Sequence, residues 1–254
     1  MSTQTIELIR RHGSVRNYKP DPVPTALIET IVAAAQCSST SSNLQMMTVV
    51  AVTNADKRAQ VAAWCGNQTH VAQAPLLLVW CADLNRLDRV CALRGYRQVT
   101  AYVENFLVAA TDAAITAQTA ALAAESLGLG ICYIGSIRNR TQDMIELLGL
   151  PRLVFPVVGM TVGWPATRPP VRPRLSIDAV LHWESYNRDQ DQAVRDYDRA
   201  MVETGIYEGR QVPVPGKSDA VEDYGWMEHS ARRVCQPTRT DLRKILASQG
   251  FDLA

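Results

Sequence analysis

The feature that most constrains this chain is one long alanine-rich segment, residues 99–127, which ends in the turn Gly128-Leu129-Gly130. Alanine has the highest helix propensity, and neither proline nor glycine interrupts the run. Small or apolar side chains cover nearly its whole circumference, which is typical of a buried helix. Asp112, Gln118 and Glu125 recur about every two turns, and polar and charged side chains at that density are too costly in lipid. The segment is therefore predicted to be a core helix, with a close-packed dimer interface along its small-residue face as a further interpretation.

Composition places the chain among globular proteins without a strongly charged partner. Its 254 residues are 47% hydrophobic, which is enough for one substantial core, and the net charge of +1 gives no argument for nucleic acid or a membrane surface. The amino terminus lacks the apolar core of a signal peptide, and the six cysteines show no CxxC pair. We therefore expect a cytoplasmic protein.

Hydrophobic periodicity predicts an α+β fold in a single domain, residues 1–254. The predicted strands cover residues 47–53, 76–82, 131–137 and 154–164. Besides the central helix, the predicted helices cover 6–11, a segment capped by Thr25 that runs to Ala35, 56–65, 139–148, 188–203 and 241–249, and residues 85–95 form a charged amphipathic segment. From Pro165 the composition changes to a Pro/Arg arm, so we expect a core of about 1–164 followed by an arm and excursion over 165–254.

Three separate features point to an anionic or flat heterocyclic ligand. His12, Ser14 and Arg16 alternate on an extended segment and therefore share one face. Arg172 and Arg174 alternate in the same way beside prolines, and guanidinium groups bind phosphate oxygens bidentately. Gly135 lies inside a predicted strand, where a glycine often marks the close approach of a ligand.

Other features leave alternatives open or exclude common chemistry. The polar run Ser38–Asn43 is either a solvated loop or a loop that faces a ligand. Neither a phosphate-binding P-loop nor a Rossmann GxGxxG motif occurs, and there is no GxSxG or HExxH motif. The four histidines show no metal-ligand spacing, so no metal site is predicted.

The ordered set of motifs resembles one known family. It comprises Thr5–Ile9, His12-x-Ser14-x-Arg16, Ser38–Gln45, Gln68-x-His70-Val71-Ala72-Gln73-Ala74, Ala123–Gly130, Tyr133-Ile134-Gly135, Gly163-Trp164-Pro165 and Arg172-Pro173-Arg174-Leu175. The chain resembles the FMN-dependent nitroreductases, in particular the NADPH-linked oxygen-insensitive nitroreductase and flavin reductase branch. The resemblance implies a three-layer α/β/α sandwich with a central mixed, mostly antiparallel sheet and a carboxy-terminal excursion onto the partner subunit of a homodimer.

The resemblance also implies an FMN site, position by position. His12, Ser14, Arg172 and Arg174 would hold the phosphate. Arg16 would face the pyrimidine edge or the ribityl chain, where its charge stabilises the reduced flavin, and Gln68 would bond the pyrimidine edge. Ser39, Thr40, Ser41 and Asn43 would come from the partner subunit. Tyr133, Ile134, Gly135 and Ser136 would form a strand against the ring, with a backbone N–H aimed at N5.

Some positions depart from the family pattern. Arg172 stands where lysine is frequent, Ser136 where close relatives carry glycine, and Asn43 where the close branch is often aromatic. The loop Gly205–Gly225 is longer than the resemblance leads us to expect. By the same resemblance, Ser136 would bring a side chain close to flavin N5.

The implied function is ping-pong hydride transfer from NADPH, through FMN N5, to nitroaromatics, quinones or free flavin, with no catalytic side chain. Alternatives are a reductase specialised for one metabolite and a flavin-binding protein without turnover. NADH is a possible donor. Candidates for the NADPH 2′-phosphate are Arg210 first and Lys217 second; the pair Arg232 and Arg233 ranks third because charges on a helix surface are usually solvated.

Overall fold

The structure is a computed structural model that describes residues 2–216 and 221–253. It divides into two compact units. The first contains the residues up to Pro169 together with those from Arg239 onward, and the second runs from Pro170 to Thr238. The terminal helix therefore belongs to the first unit, although the sequence grouped it with the excursion. The single-domain description stays a prediction.

A four-stranded sheet forms the centre of the first unit. Its strands are β1 (Met47–Val52), β2 (Leu76–Asp83), β3 (Gly130–Ile134) and β4 (Val154–Gly163), in the order β1-β2-β4-β3. The three pairings between these strands are antiparallel. Within the described residues the sheet is thus fully antiparallel, and the parallel pairing that a mixed sheet requires does not occur there.

Helices cover both faces of this sheet. The helices of the first unit are α1 (Gln4–Arg10), α2 (Thr25–Ala35), α3 (Ala55–Trp64), α4 (Thr69–Gln73), α5 (Asn85–Leu93), α6 (Val103–Ser126), α7 (Thr141–Leu148) and α10 (Leu242–Ser248), and those of the second are α8 (Asp191–Val202) and α9 (Trp226–Val234). Alternate residues of β2 point to opposite sides. Leu78 and Trp80 pack with α2 and α6, whereas Leu77 and Val79 pack with α3, α4 and α7. The predicted α+β class and the three layers are confirmed.

The central helix α6 begins at Val103, four residues later than predicted. Its alanine face is buried inside the chain: Ala109, Ala113, Ala117, Ala120, Ala121 and Ala124. By length and composition α6 could cross a membrane, but buried Asp112 accepts backbone hydrogen bonds from a neighbouring loop, as in a core helix. The small-residue face is therefore internal, and Leu107 and Ile115 lie on the exposed face.

Two local predictions were wrong. Thr25 does not cap α2: Pro24 occupies the cap position without a side-chain bond, and Thr25 is the first helical residue. The third strand ends at Ile134 rather than continuing to residue 137, and residues 135–140 form a 3₁₀ helix. The chain turns there because Ile137 packs over β4, where its Cγ2 lies 2.9 Å from the position of a Cβ on Gly159. Gly135 is therefore outside the strand.

In the second unit, an irregular arm leads to the helix pair α8 and α9. Helix α8 begins at Asp191, three residues after the predicted start. The two helices are joined at the start of α9, where Asp198 accepts a 2.6 Å hydrogen bond from the backbone N–H of Met227. The Tyr197 and Trp226 rings pack edge to face with centroids 5.1 Å apart.

Candidate cofactor site

The segment that carries His12, Ser14 and Arg16 runs beside strand β3. The backbone N–H of Val15 donates to the carbonyl of Ile131 over 2.8 Å. A side chain on Gly130 would collide with Val15, so a glycine at this position is what allows the close approach. This contact brings the segment to the edge of the sheet and places its alternate side chains along β3.

His12 and Ser14 are each held by a neighbour. His12 Nδ1 lies 2.5 Å from Glu125 Oε1 on α6, and the His12 side chain is 30% exposed. This pairing occupies Nδ1 and leaves Nε2 as the ring nitrogen for a ligand. Ser14 hydrogen-bonds the thiol of Cys132. The sequence did not identify Glu125 as a partner, although its charge on a mostly buried helix was a usable signal.

Arg16 is exposed, and its charge acts on the groups around it. Burial lowers the pKa of His70, and the Arg16 guanidinium lowers it further. At Cys132, burial raises the pKa of the thiol while Arg16 opposes that rise. Both effects indicate that the positive charge of Arg16 reaches Cys132 on β3 and His70 on α4, and such a charge suits an anionic ligand.

Gln68 and Ser136 meet at the end of β3. Gln68 Nε2 donates to the Ser136 hydroxyl and to the carbonyl of Cys65, both over 2.7 Å. Gly135 lies directly before Ser136, and a Cβ at Gly135 would have Arg138 Nη2, at 3.6 Å, as its nearest contact. Packing of the described residues therefore does not require glycine at this position, which is consistent with the close approach of a ligand.

The residues before Gly135 form the wall of the same region. Ile134 is buried, whereas Tyr133 is half-buried and its hydroxyl donates to Gln118 Oε1 over 3.3 Å. Burial raises the pKa of Tyr133, and the charge of Glu125 raises it further. Tyr133 therefore stays a neutral phenol across the physiological range.

Side chains of α6 anchor the polar loop that contains Ser38–Asn43. Asp112, with 1% exposure, accepts hydrogen bonds from the backbone N–H groups of Ser41 (3.0 Å) and Met46 (3.3 Å). The Ser38 hydroxyl lies 3.1 Å from that of Thr116.

Several loop residues adopt conformations that L-residues rarely take. Ser42, Asn43 and Gln45 have φ values of 49°, 56° and 51°, and each such conformation costs about 1–2 kcal/mol. The loop is held in shape while Ser39, Ser41 and Asn43 stay exposed and Thr40 half-buried. An exposed and anchored loop is compatible with both interpretations of this run, a solvated loop and a loop that faces a ligand.

Arg172 and Arg174 lie in the arm of the second unit. Arg174 is exposed, and its Nη1 donates to the carbonyls of Arg172 and Pro173, each over 3.1 Å. Arg172 is half-buried and near Tyr207: burial raises the pKa of Tyr207, and the charge of Arg172 opposes that rise. The predicted alternation therefore presents one shielded and one exposed guanidinium.

The described part of the loop 205–225 in the second unit is hydrogen-bonded to α9. The Tyr224 hydroxyl accepts a hydrogen bond from the backbone N–H of Val212 (2.8 Å) and lies 3.1 Å from His229 Nδ1. Arg232 is 4% exposed, donates to the carbonyl of Val212 over 2.9 Å, and lies over the Tyr224 ring. The expectation that Arg232 is a solvated helix charge was wrong, because it packs under this loop.

The candidates for binding the NADPH 2′-phosphate differ in how much the structure shows of them. Arg210 is exposed, and Arg233 is exposed on α9. Lys217 lies outside the described residues. In the part of the chain that the structure describes, no group of three or more His, Cys, Asp or Glu side chains could hold a metal ion.

Comparisons with protein families and with known proteins gave matches over nearly the whole chain. The model of the nitroreductase family matches residues 9–164, and that of the nitroreductase family, C-terminal domain, matches residues 172–254. The chain is 36% identical to the oxygen-insensitive NADPH nitroreductase of Salmonella typhimurium, covering 97% of this chain and 98% of that protein. It is 34% identical to an FMN reductase [NAD(P)H] of Bacillus subtilis, covering 98% of each.

A solved structure agrees with the sequence comparisons. NfrA2 of B. megaterium superposes with a TM-score of 0.92 at 36% identity, covering 100% of each chain. Together with the sheet order and the placement of His12, Arg16, Gln68 and Gly135 along β3, these matches show that the chain belongs to the nitroreductase family.

Proposed function

We propose that this chain is an FMN-dependent NAD(P)H oxidoreductase that passes hydride from NADPH to nitroaromatics, quinones or free flavin. The enzyme class rests on its relatives: the Salmonella protein is an NADPH nitroreductase and the B. subtilis protein an FMN reductase that uses NAD(P)H. Both match nearly the full chain, so FMN and a nicotinamide are its cofactors.

The observation that best supports an FMN site is that Arg16, Gln68 and Gly135 lie near β3 and the turn after it. Arg16 supplies exposed positive charge, Gln68 supplies an oriented amide, and Gly135 is a glycine that packing of the described residues does not require. This donor set fits FMN, which has an anionic phosphate, a hydrogen-bonding pyrimidine edge and a flat tricyclic face.

We assign the phosphate to His12, Ser14, Arg172 and Arg174. The support is chemical: two guanidinium groups, an imidazole Nε2 and a hydroxyl are donors that phosphate oxygens prefer. When bound, FMN supplies hydride transfer at its N5 atom, so the chain needs no catalytic acid or base. The turn at Tyr133–Ser136 then positions the ring, and Arg16 stabilises negative charge at its pyrimidine end.

We further propose a homodimer whose partner contributes Ser39, Thr40, Ser41 and Asn43 to the FMN site. The exposed placement of Ser39, Ser41 and Asn43, on a loop whose backbone is anchored by Asp112, supports a role outside the chain's own core.

Purification and a coupled assay test the proposal. The protein should purify yellow with non-covalent FMN, and it should oxidise NADPH faster when a nitroaromatic or a quinone is added. Arg16→Ala and Arg174→Ala should each weaken FMN binding about ten- to a hundredfold, since a charge-assisted contact contributes roughly 1.5–3 kcal/mol. Arg11→Ala, an exposed arginine just before the segment, serves as the matched control.

The possible outcomes separate the alternatives. Colourless protein that takes up no FMN on titration contradicts the cofactor assignment. Yellow protein that never consumes NADPH with any acceptor is a flavin-binding protein without turnover. Turnover confined to one acceptor identifies a specialised reductase.

A further inference from the structure

Gln68 stands at the start of α4 with both amide hydrogens already engaged inside the chain. Its Nε2 donates to the carbonyl of Cys65 and to the hydroxyl of Ser136, each over 2.7 Å. A backbone carbonyl can only accept hydrogen bonds, so the nitrogen of the amide, and not its oxygen, must face Cys65. The chemistry of the neighbours thus determines the orientation of this amide.

Ser136 reinforces the same orientation. With the amide nitrogen fixed by the Cys65 carbonyl, the Ser136 hydroxyl oxygen, 2.7 Å from the same nitrogen, accepts its second hydrogen. Each amide hydrogen therefore has its own acceptor, and Gln68, Cys65 and Ser136 belong to the first unit. Burial raises the pKa of the Cys65 thiol, and the nearby Ser136 hydroxyl opposes that rise.

The remaining polar atom, Gln68 Oε1, is left for a ligand. No residue within 2–216 or 221–253 donates a hydrogen bond to it, and the side chain is half-buried at the end of β3. An acceptor held in this way favours a ligand that presents N–H or O–H and disfavours one that presents a carbonyl or a ring-nitrogen lone pair.

We infer that Ser136 is a positioning residue which, by orienting Gln68, makes this edge of the cofactor site an acceptor for a ligand N–H. The inference rests on the proposed function. Oxidised FMN carries one N–H on its pyrimidine ring, at N3, between two carbonyl groups. By orienting Gln68, Ser136 therefore determines which edge atom of the flavin faces this side chain, and we expect N3–H to donate to Gln68 Oε1.

Nuclear magnetic resonance of FMN labelled with ¹⁵N at N3 tests this contact directly. In the wild-type complex the N3–H proton should exchange with solvent at least about tenfold more slowly than in free FMN, because it is hydrogen-bonded and shielded. In Ser136→Ala the exchange should accelerate toward the free value, since the Gln68 amide keeps only its bond to Cys65. Ser136→Thr, which retains the hydroxyl, should restore the protection.

A double-mutant cycle separates positioning from direct contact. Ser136→Ala and Gln68→Ala should each weaken FMN binding about two- to twelvefold, the range of one neutral hydrogen bond. The double variant should bind no more weakly than Gln68→Ala alone, because Ser136 acts through Gln68. Ser248→Ala is the matched control: this serine on α10 bonds only a carbonyl of its own helix and should leave FMN affinity unchanged.

Three results would overturn the inference, and they are distinguishable. Additive losses in the cycle would mean that Ser136 acts on FMN independently of Gln68. An N3–H proton that exchanges freely in the wild-type complex would refute the contact with Gln68 while leaving the proposed function intact. A wild-type protein that binds no FMN would overturn both.

Discussion

At the scale of one residue, the buried carboxylate of Asp112 anchors a loop that we assign to the cofactor site. Asp112 lies within a mostly apolar helix, yet both of its carboxylate oxygens accept hydrogen bonds from backbone N–H groups of the loop 38–46. A buried carboxylate is tolerated when hydrogen bonds compensate its desolvation. Its function is therefore to fasten a strained polar loop to a rigid helix.

Asp112→Asn should destabilise the protein by about 1.5–3 kcal/mol, because the amide turns one acceptor into a donor that faces an N–H group. The expected melting temperature falls by several degrees, at about 2–4 °C per kcal/mol for a chain of this size. Asp88→Asn, on the exposed side of α5, is the control and should change stability by no more than about 0.5 kcal/mol. Equal melting temperatures for the two variants would contradict this role.

His70 gives the stability a pH dependence of known sign. Burial, and then the charge of Arg16, lowers its pKa below the ordinary value of 6.5, and its Nε2 is buried without a hydrogen-bond partner among the described residues. The folded state therefore favours the neutral ring. The stability that comes from keeping the His70 ring neutral is fully present above about pH 6.5, the pKa of histidine in the unfolded chain. It is lost as the pH falls through the lower pKa of His70 in the folded state.

His70→Gln should accordingly flatten the fall in stability on acidification. Denaturant titrations between about pH 7.5 and pH 5 measure the difference in unfolding free energy between variant and wild type, and the two curves should converge toward acid. A difference that is constant over this range would show that His70 contributes packing and no protonation effect.

At the scale of elements, the sequence predicted what periodicity and propensity control and missed what tertiary packing controls. The continuous apolar run of β2 and the uninterrupted alanines of α6 identified both elements. The end of β3 was missed because it depends on Ile137 packing over Gly159, two residues far apart in sequence. Within the site, the alternation of His12 to Arg16 was readable, whereas the bond between Gln68 and Ser136 exists only in the folded chain.

The loop around Arg210 is the element with the most direct consequence for donor choice. Tyr224 and Arg232 fasten its described part to α9, while Arg210 stays exposed. If Arg210 binds the 2′-phosphate, Arg210→Ala should raise KM for NADPH about tenfold or more, leave NADH nearly unchanged, and reduce the salt sensitivity of kcat/KM.

The matched control for this experiment is Arg233→Ala, which removes an exposed arginine from α9. A KM effect at Arg233 and none at Arg210 would reverse the predicted order of these residues. An equal loss with both nicotinamides at Arg210→Ala would show that the residue supports the loop and does not bind the phosphate. No loss with either donor would transfer the assignment to Lys217.

At the scale of the whole molecule, the apolar surface left on the first unit favours association with a second copy. The alanine face of α6 is buried within the chain, so the exposed face of that helix carries the larger apolar residues. Leu107 is 57% exposed and Ile115 41%, and nearby Leu93, Val99 and Tyr102 are also exposed. Large exposed apolar side chains, when they form a contiguous patch, are typical of subunit interfaces.

We therefore expect a homodimer at micromolar concentration, and Leu107→Arg should disrupt it by placing a charge in the apolar interface. Light scattering measures the mass, and flavin absorbance after gel filtration measures the FMN retained. The mass and the retained FMN should fall together, because the proposed site takes Ser39, Thr40, Ser41 and Asn43 from the partner subunit. Ala63→Arg, exposed on α3 on the opposite side of the sheet, should remain a yellow dimer. A Leu107→Arg monomer that keeps stoichiometric FMN would show that one chain completes the site alone, and it would remove the reason for assigning the loop to the partner.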